Sequence, residues 1–260
     1  MSEKFNRLVS IVKRLRSPNG CPWDRKQTLY SLKQNVVEEV FEFIDALDRK
    51  DIENIKEELG DMLLHVVFHS VIAEEENLFN IDDVLDNVSE KLIRRHPHVF
   101  SNTVANSVDE VLKNWDEIKA KEKISKRKHL LDDIPRGLTP IERAYKLQEK
   151  ASKIGFDWTN ADQCFGKVVE EFEELKGAQK EKNKDKVKHE IGDMIFALVN
   201  YARLSNINPS EALREASLRF ENRFNCMEEK LKKQGKALGD STLEELENLW
   251  QLCKKEELLE

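Results

Sequence analysis

Five acidic residues in the second half of the chain are spaced as the ligands of a divalent cation could be. Glu170, Glu171 and Glu174 lie in one stretch, and Glu190 and Asp193 follow in the next. Residues three or four positions apart share one face of a helix, so Glu171 projects beside Glu174, and the second pair does the same. Two carboxylates about 6 Å apart repel by about 3 kcal/mol at an effective dielectric constant near 20. We therefore expect a cation among these side chains.

The chemistry of the carboxylate group selects the cation. Hard carboxylate oxygens favour Mg²⁺ over zinc, with Mn²⁺ as a substitute. Mg²⁺ held in this way usually keeps part of its coordination shell for water and for substrate phosphates. The acidic residues therefore predict a magnesium site whose ligand is a nucleotide polyphosphate.

A single Glu-Glu-x-x-Glu motif also has a simpler explanation. In a chain with 50 acidic residues, it is commonly a solvated helix face whose carboxylates pair with nearby lysines. Here, however, the motif and the Glu-x-x-Asp after it occur twice, with the same internal spacing and a displacement of 132 residues. This repetition favours a metal site in at least one half. The first half supplies a second candidate set, which is Glu39, Glu42, Glu58 and Asp61.

Other features repeat in the same order, which indicates two copies of one unit. Each half has a Gly and a Trp near its start, two basic residues four positions apart, and a Trp near its end. The corresponding positions are Gly20 and Trp23 with Gly155 and Trp158, Lys91 and Arg95 with Arg219 and Arg223, and Trp115 with Trp250.

The duplication predicts three segments. An N-terminal domain would span residues 1–120, a charged linker 121–136, and a C-terminal domain 137–260. Pro135 and Gly137 interrupt the chain where the second copy begins, as turn-forming residues do at such boundaries.

Helices must position the acidic residues. Apolar residues recur with helical spacing around both motifs, as Val37, Val40 and Ile44 do. Residues 48–51 leave room for only a short turn, which predicts that the helices on either side pair antiparallel. Only 9 glycines and 6 prolines occur in 260 residues, too few for a many-stranded protein. We predict an all-α chain of two tandem bundles, each with four or five helices.

Composition limits the class of protein further. The net charge of -7 disfavours nonspecific binding to nucleic acid. No apolar run approaches the about 18 residues of a membrane span, and the N-terminus lacks the apolar core of a signal peptide. We therefore expect a cytoplasmic protein that binds neither nucleic acid nor membrane. The four cysteines are far apart and form no C-x-x-C pair, so we expect reduced thiols.

The combined motifs resemble those of the MazG family. The likeness rests on both acidic motifs, on Gly-Cys-Pro-Trp-Asp at 20–24 and on Arg-Arg-His-Pro-His-Val-Phe at 94–100, and it extends over nearly the whole chain. That family belongs to the all-α nucleoside triphosphate pyrophosphohydrolases, a superfamily that includes dimeric dUTPases. The resemblance implies a cytoplasmic homodimer that hydrolyses nucleoside triphosphates to the monophosphate and pyrophosphate, with broad base tolerance.

The same resemblance implies roles for individual residues. Four acidic residues would be Mg²⁺ ligands, Glu170 a candidate base, two lysines and two arginines phosphate ligands, and a tryptophan a stacking surface. The metal ligands are Glu171, Glu174, Glu190 and Asp193, and the substrate-binding residues are Lys167, Lys186, Arg219, Arg223 and Trp250. Taken alone, these lysines could be solvated, the arginines could pair with Glu215 or Glu221, and Trp250 could belong to the core or a dimer interface. We interpret His65 and His69 as structural.

The predicted reaction is a metal-assisted attack of water on the α-phosphorus, with pyrophosphate as the leaving group. Glu170, Glu171 and Glu174 are the predicted catalytic residues. Recognition through phosphates and a stacking ring reads no hydrogen-bonding edge of the base, which suits an enzyme that clears excess or noncanonical nucleotides. Asn35 stands where the second half has Lys167, so we expect the C-terminal half to be catalytic and the N-terminal half regulatory or structural.

Two other classes of protein remain open. A noncatalytic helical dimer scaffold or regulatory partner would show the same periodicity but would not need the paired acids. A carboxylate-bridged di-iron or di-manganese bundle would have Glu-x-x-His on two helices, whereas Asp61 and Asp193 stand at those positions here.

Overall fold

A computed structural model describes residues 2–123 and 128–257 of the chain. These residues form helices and no strand, so the all-α prediction is confirmed. None of the described helices is both long and apolar enough to cross a bilayer. The chain divides into two compact units, Met1–Ile124 and Ser125–Glu260. This division falls inside the segment 121–136 assigned to the linker; the exact domain limits stay a prediction.

The first unit contains five helices of at least fourteen residues and two short ones within its described part. Its central helices, α3 and α4, pack along each other and carry the first acidic motifs. The helices are α1 (Glu3–Arg16), α2 (Pro22–Lys26), α3 (Lys33–Asp48), α4 (Ile52–Glu75), α5 (Ile81–Arg95), α6 (Pro97–Phe100) and α7 (Val108–Lys123).

The second unit repeats the central pair as α9 and α10, which form the most extensive helix contact described in the chain. A short 3-10 turn at Leu238–Asp240 precedes the last helix. The α-helices are α8 (Pro140–Ser152), α9 (Ala161–Lys180), α10 (Lys184–Leu204), α11 (Pro209–Lys233) and α12 (Leu243–Glu257).

The turns between the paired helices have the same backbone conformation in both units. Lys50 and Lys182 each adopt a left-handed conformation with φ of 55°. Each is followed by the cap of the next helix. The Asp51 side chain accepts a hydrogen bond from the Asn54 amide, and Asn183 caps α10 in the same way. These short turns reverse the chain and fix the antiparallel pairing that the sequence predicted.

The buried side chains of the first unit hold α1 against α4. Val12 and Val67 are fully buried, and Ile72 is 1% exposed. They form a core with Leu32, Phe68 and Val71. In the second unit the buried set includes Cys164, Val199 and Met227 from α9, α10 and α11. In each unit, helices that carry acidic residues also contribute side chains to the core, which holds those helices in place.

Each central helix pair also presents apolar side chains that its own unit leaves exposed. We call these the apolar stripes, one in each unit. Their members correspond one to one with a displacement of 132 residues, and each is between 37% and 50% exposed. The pairs are Val37 with Val169, Val40 with Phe172, Leu59 with Ile191, Leu63 with Ile195, and Val66 with Leu198.

The expectation that all four cysteines are reduced thiols is wrong for two of them. Cys226 and Cys253 form a disulfide between α11 and α12, with their Cα atoms 6.1 Å apart. The two cysteines are 27 positions apart, so the sequence did not reveal this contact; the chain turns back after α11 and brings the two helices side by side. Cys21 and Cys164 remain free.

Replacing Ile72 by Ala should lower the free energy of unfolding by about 2–5 kcal/mol, because the substitution leaves a cavity in the core of the first unit. Ile52 on the same helix is 71% exposed and provides the control. Ile52→Ala should change the free energy of unfolding by about 0.5 kcal/mol or less. Urea unfolding followed by circular dichroism measures both values, and similar losses would contradict this assignment of the core.

Candidate active site

Helices α9 and α10 bring the two acidic motifs of the second unit together. Asn160 caps the start of α9 by accepting a hydrogen bond from the Gln163 amide at 2.9 Å. From this start, Lys167, Glu171 and Glu174 fall on one face of the helix. The short turn after α9 then returns α10 along the same face, which places Glu190 opposite them.

Three carboxylates form the centre of the site. Glu171, Glu174 and Glu190 each offer an oxygen within 4.8 Å of the others, and we call this group the acidic cluster. Glu171 is buried, with 5% of its surface exposed. Burial raises the pKa of Glu174, and the charges of Glu171 and Glu190 raise it further. The ionised form of Glu174 is therefore disfavoured by its neighbours. A hard divalent cation would neutralise these charges and suits such a site.

Lys167 is the cation that contacts the acidic cluster. Its Nζ lies 2.7 Å from Glu171 Oε1 and 2.8 Å from Glu170 Oε1. These two hydrogen bonds raise the pKa of Lys167 well above its usual value. Glu170 is exposed at the edge of the cluster, where Lys167 holds its carboxylate. The predicted base and the predicted phosphate ligand are therefore already in contact.

Asp193 does not join the group of three. Its Oδ2 lies 2.9 Å from Nδ1 of His189, one turn earlier on α10. His189, Glu190 and Asp193 form a second group that shares Glu190 with the acidic cluster. His189 was not predicted from the sequence, although its position four residues before Asp193 was a usable signal.

The remaining predicted residues pair elsewhere. Lys186 Nζ lies 2.5 Å from Glu181, and Arg219 lies 3.6 Å from Glu215 on its own helix. The guanidinium of Arg223 lies 5.5 Å from the centre of the Trp250 ring. The hydrogen bond from Lys186 to Glu181 raises the pKa of Lys186, and the charge of Glu190 in the acidic cluster adds to this shift.

A contact between helices repeats in both units around the predicted tryptophans. Arg223 pairs with Glu257 at 2.6 Å beside Trp250. In the first unit, Arg95 pairs with Glu122 beside Trp115. Hydrogen bonds from Arg95 and then Arg94 lower the pKa of Glu122 to about 2. The tryptophan positions therefore belong to an arginine and glutamate arrangement that fixes the last helix of each unit.

A cavity of about 800 Å³ opens beside the acidic cluster. Lys167, Glu171 and Asp193 line part of it, and apolar side chains line most of the rest. Gly155, with φ of 84°, turns the chain after α8 so that residues 156–158 form one wall. Phe156 and Trp158 are the aromatic side chains of that wall.

Two amide side chains at this cavity were missed by the sequence analysis. Gln148 is 7% exposed, and its Nε2 donates to the Phe196 carbonyl at 2.8 Å. Its buried Oε1 has no hydrogen-bond partner within the described residues. An unmet buried acceptor costs about 1–3 kcal/mol, so a ligand group that donates there would be favoured. Asn200 Oδ1 accepts from Arg203 Nε at 3.0 Å.

The first unit assembles its acids differently. Glu39, Glu58 and Asp61 offer oxygens within 4.8 Å of one another, while Glu42 is not part of that group. Burial raises the pKa of Glu42 and of Glu58, and neighbouring carboxylates add to both shifts. His65 Nε2 lies 3.5 Å from Glu39 Oε1. Glu39 is the acid of the first unit that corresponds to Glu171.

Glu174→Gln should raise the melting temperature of the metal-free protein by a few degrees at about pH 8, because it removes a carboxylate whose ionised form is disfavoured. As the pH falls through the raised pKa, Glu174 itself becomes protonated, so the difference should shrink. Glu173, which pairs with Lys176 outside the cluster, provides Glu173→Gln as the control without a gain. Thermal melts in a chelator measure both, and a difference that widens on acidification would contradict the assignment.

Comparison with known proteins identifies the family. Residues 27–100 match the MazG nucleotide pyrophosphohydrolase domain, and residues 142–220 match phosphoribosyl-ATP pyrophosphohydrolase. The chain is 44% identical over 250 residues to the nucleoside triphosphate pyrophosphohydrolase/pyrophosphatase MazG of Thermotoga maritima, covering 96% of this chain and 95% of that protein. It is 40% identical over 259 residues to the nucleoside triphosphate pyrophosphohydrolase of Escherichia coli, covering 98% of each. The all-α, tandem chain with paired acidic motifs therefore belongs to the MazG family of nucleotide pyrophosphohydrolases.

Proposed function

We propose that this chain is a Mg²⁺-dependent nucleoside triphosphate pyrophosphohydrolase, with Mn²⁺ as a substitute ion, and that its C-terminal unit is catalytic. The observation that carries the proposal is the acidic cluster of Glu171, Glu174 and Glu190 beside a cavity that Lys167 also lines. Full-length relatives named as nucleoside triphosphate pyrophosphohydrolases support the same reaction class.

The acidic cluster fits a divalent ion by charge and by ligand type. Glu171, Glu174 and Glu190 would hold the ion, and Asp193 would add a ligand from the next turn of α10. When bound, Mg²⁺ neutralises the triphosphate and lowers the pKa of a coordinated water. Lys167 offsets part of the negative charge of the cluster, so the site would need the charge of the ion before it could accept a polyanion.

The side chains around the cluster supply the other roles. Lys167 is placed to donate to a phosphate oxygen, because it lines the cavity and its Nζ lies at the cluster. Glu170, held by Lys167 and open to solvent, would accept the proton of the attacking water. The products of this attack on the α-phosphorus are the monophosphate and pyrophosphate.

The residues on α11 and those near the start of α10 would extend phosphate binding. Arg219 is only loosely paired, at 3.6 Å from Glu215, and Lys186 is exposed. Arg219 could turn towards a triphosphate, whereas Lys186 would have to exchange Glu181 for a phosphate oxygen. Arg223 would add positive charge from the next turn of α11, while Trp250 stays packed beside it. Broad base tolerance would suit an enzyme that clears excess or noncanonical nucleotides in the cytoplasm.

The first unit would bind metal without being the main catalyst. Glu39, Glu58 and Asp61 could hold an ion. Asn35 replaces the lysine of the second unit, however, and His65 contacts the acid that corresponds to Glu171. A site with less phosphate-binding charge suits a regulatory or structural duty.

The apolar stripes support a homodimer. Ten apolar side chains at equivalent positions of the two units stay between 37% and 50% exposed on long helices that carry acidic motifs. A second copy of the chain could cover them by pairing like helices across a two-fold axis.

Glu171→Gln should reduce turnover of a triphosphate panel by at least about a hundredfold, because it removes a buried metal ligand. Glu39→Gln removes the equivalent acid of the first unit and should retain much of the activity. Anion-exchange analysis of the products should show AMP and pyrophosphate from ATP, and only when Mg²⁺ is present.

The reverse ranking of these two variants would overturn the assignment of the catalytic unit. ADP and orthophosphate as products would refute the reaction. A folded wild-type protein with no turnover of any triphosphate would favour the noncatalytic scaffold.

Replacing Leu63 and Ile195 together by Glu should convert the dimer to a monomer, because it places a charge in each apolar stripe. Leu78 and Ile207 are apolar residues outside the stripes, at equivalent positions after α4 and α10, and they are more exposed than Leu63 and Ile195. The double substitution of those two by Glu is the control and should stay dimeric. Sedimentation velocity measures both, and a wild-type monomer would refute the proposal.

A further inference from the structure

We propose that the cavity beside the acidic cluster is a nucleobase subsite, in which Gln148 Oε1 accepts a hydrogen bond from the base and the Asn200 amide donates one. This inference rests on the proposed function, because the phosphates of the same nucleotide would occupy the acidic cluster. It assigns base reading to residues that neither acidic motif contains.

The position and size of the cavity suit the nucleoside part of the substrate. Its volume of about 800 Å³ lies within the range of small-molecule sites. Lys167, Glu171 and Asp193 line the same cavity as Gln148 and Asn200. A nucleotide whose phosphates reach the acids would therefore place its base among the apolar and amide side chains.

The wall formed by residues 156–158 offers flat apolar surfaces. Phe156 is 80% exposed and Trp158 is 43% exposed, although both are large aromatic side chains. Exposed aromatic faces that line a cavity suit stacking on a base, which every base accepts. Trp158 is also the tryptophan whose counterpart, Trp23, marked the repeat in the sequence.

The orientation of the Gln148 amide is fixed by its neighbour. The Phe196 carbonyl can only accept a hydrogen bond, so the group that contacts it at 2.8 Å must be the Gln148 NH₂. The other amide atom, Oε1, is therefore an acceptor, and it is buried without a partner in the described part of the chain. A ligand in the cavity that presents an N–H group would satisfy it.

Asn200 is oriented in the opposite sense. Its Oδ1 accepts from Arg203 Nε at 3.0 Å and from the Arg203 Nη2 at 2.8 Å, while Asp157 holds the same guanidinium. Its NH₂ group is thus the donor that remains for a ligand. Asn200 lies one helical turn after Phe196, which Gln148 contacts, so the two amides lie on the same part of the cavity wall.

One acceptor beside one donor matches every canonical base. Adenine and cytosine present an amino group next to a ring nitrogen, and guanine, uracil and thymine present a ring N–H next to a carbonyl oxygen. Each can donate to Gln148 and accept from Asn200 after a small shift in the plane. Broad tolerance would then arise from reading a feature that all canonical bases share, and a base without an N–H donor should be disfavoured.

Comparing ATP with the triphosphate of purine riboside tests whether the subsite needs an N–H donor on the base. The purine analogue has a hydrogen where adenine has its amino group. Wild-type kcat/KM should be about tenfold lower for the purine analogue, while ITP, which has a ring N–H, should stay close to ATP. Gln148→Met should bring the ratio of ATP to purine analogue close to one. Gln179, exposed on α9 away from the cavity, provides Gln179→Met as the control that keeps the wild-type ratio.

Equal kcat/KM for ATP and the purine analogue in the wild-type protein would overturn the subsite and leave the proposed reaction intact. If no triphosphate is hydrolysed, the proposed function fails, and calorimetry decides the subsite separately. AMP should then bind more tightly than purine riboside monophosphate to the wild-type protein, and equal binding would overturn the subsite. Because both comparisons change the ligand, they hold even if Gln148→Met does not fold.

Discussion

Repulsion among carboxylates held between two packed helices is the constraint on which this structure depends. Glu171, Glu174 and Glu190 are brought within 4.8 Å of one another, and Lys167 offsets only part of their charge. No helix pair would adopt this arrangement for its own stability, because ionised carboxylates in contact oppose folding. The capped ends, the short turn and the core beneath hold the pair together, so the free energy of folding offsets this repulsion, which a bound cation would relieve.

The two units keep this constraint and differ in what surrounds it. In the second unit a lysine contacts the buried glutamate, whereas in the first the equivalent glutamate lies 3.5 Å from His65 and Asn35 replaces the lysine. The lysine brings a positive charge that can contact a phosphate, whereas the amide of Asn35 brings none. The same acidic framework is therefore equipped for a polyanion in one unit and less so in the other. Duplication with retained geometry and changed cations would allow one chain to hold a catalytic and a supporting copy.

The structure also relates the site to assembly. The apolar stripes lie on the same four helices as the acidic motifs, displaced by 132 residues in step with them. On these helices the proposed cation would neutralise the carboxylates, and the proposed second copy of the chain would cover the apolar residues. The Arg223, Trp250 and Glu257 contact, repeated as Arg95, Trp115 and Glu122, ties the last helix of each unit in place. Catalysis and dimerisation would then be coupled through the helices that they share.

The sequence alone determined the helices, the antiparallel pairs and the positions of the acids, because helical periodicity and short turns are local properties of the chain. It did not determine partners that depend on how helices pack. Cys226 forms a disulfide with Cys253, and the amides of Gln148 and Asn200 line one cavity. Each of these residues is ordinary in its own segment and acquires a role only when side chains far apart in sequence are brought together. Tertiary packing decided the cavity for that reason, since no local pattern specifies which face of one helix will meet another.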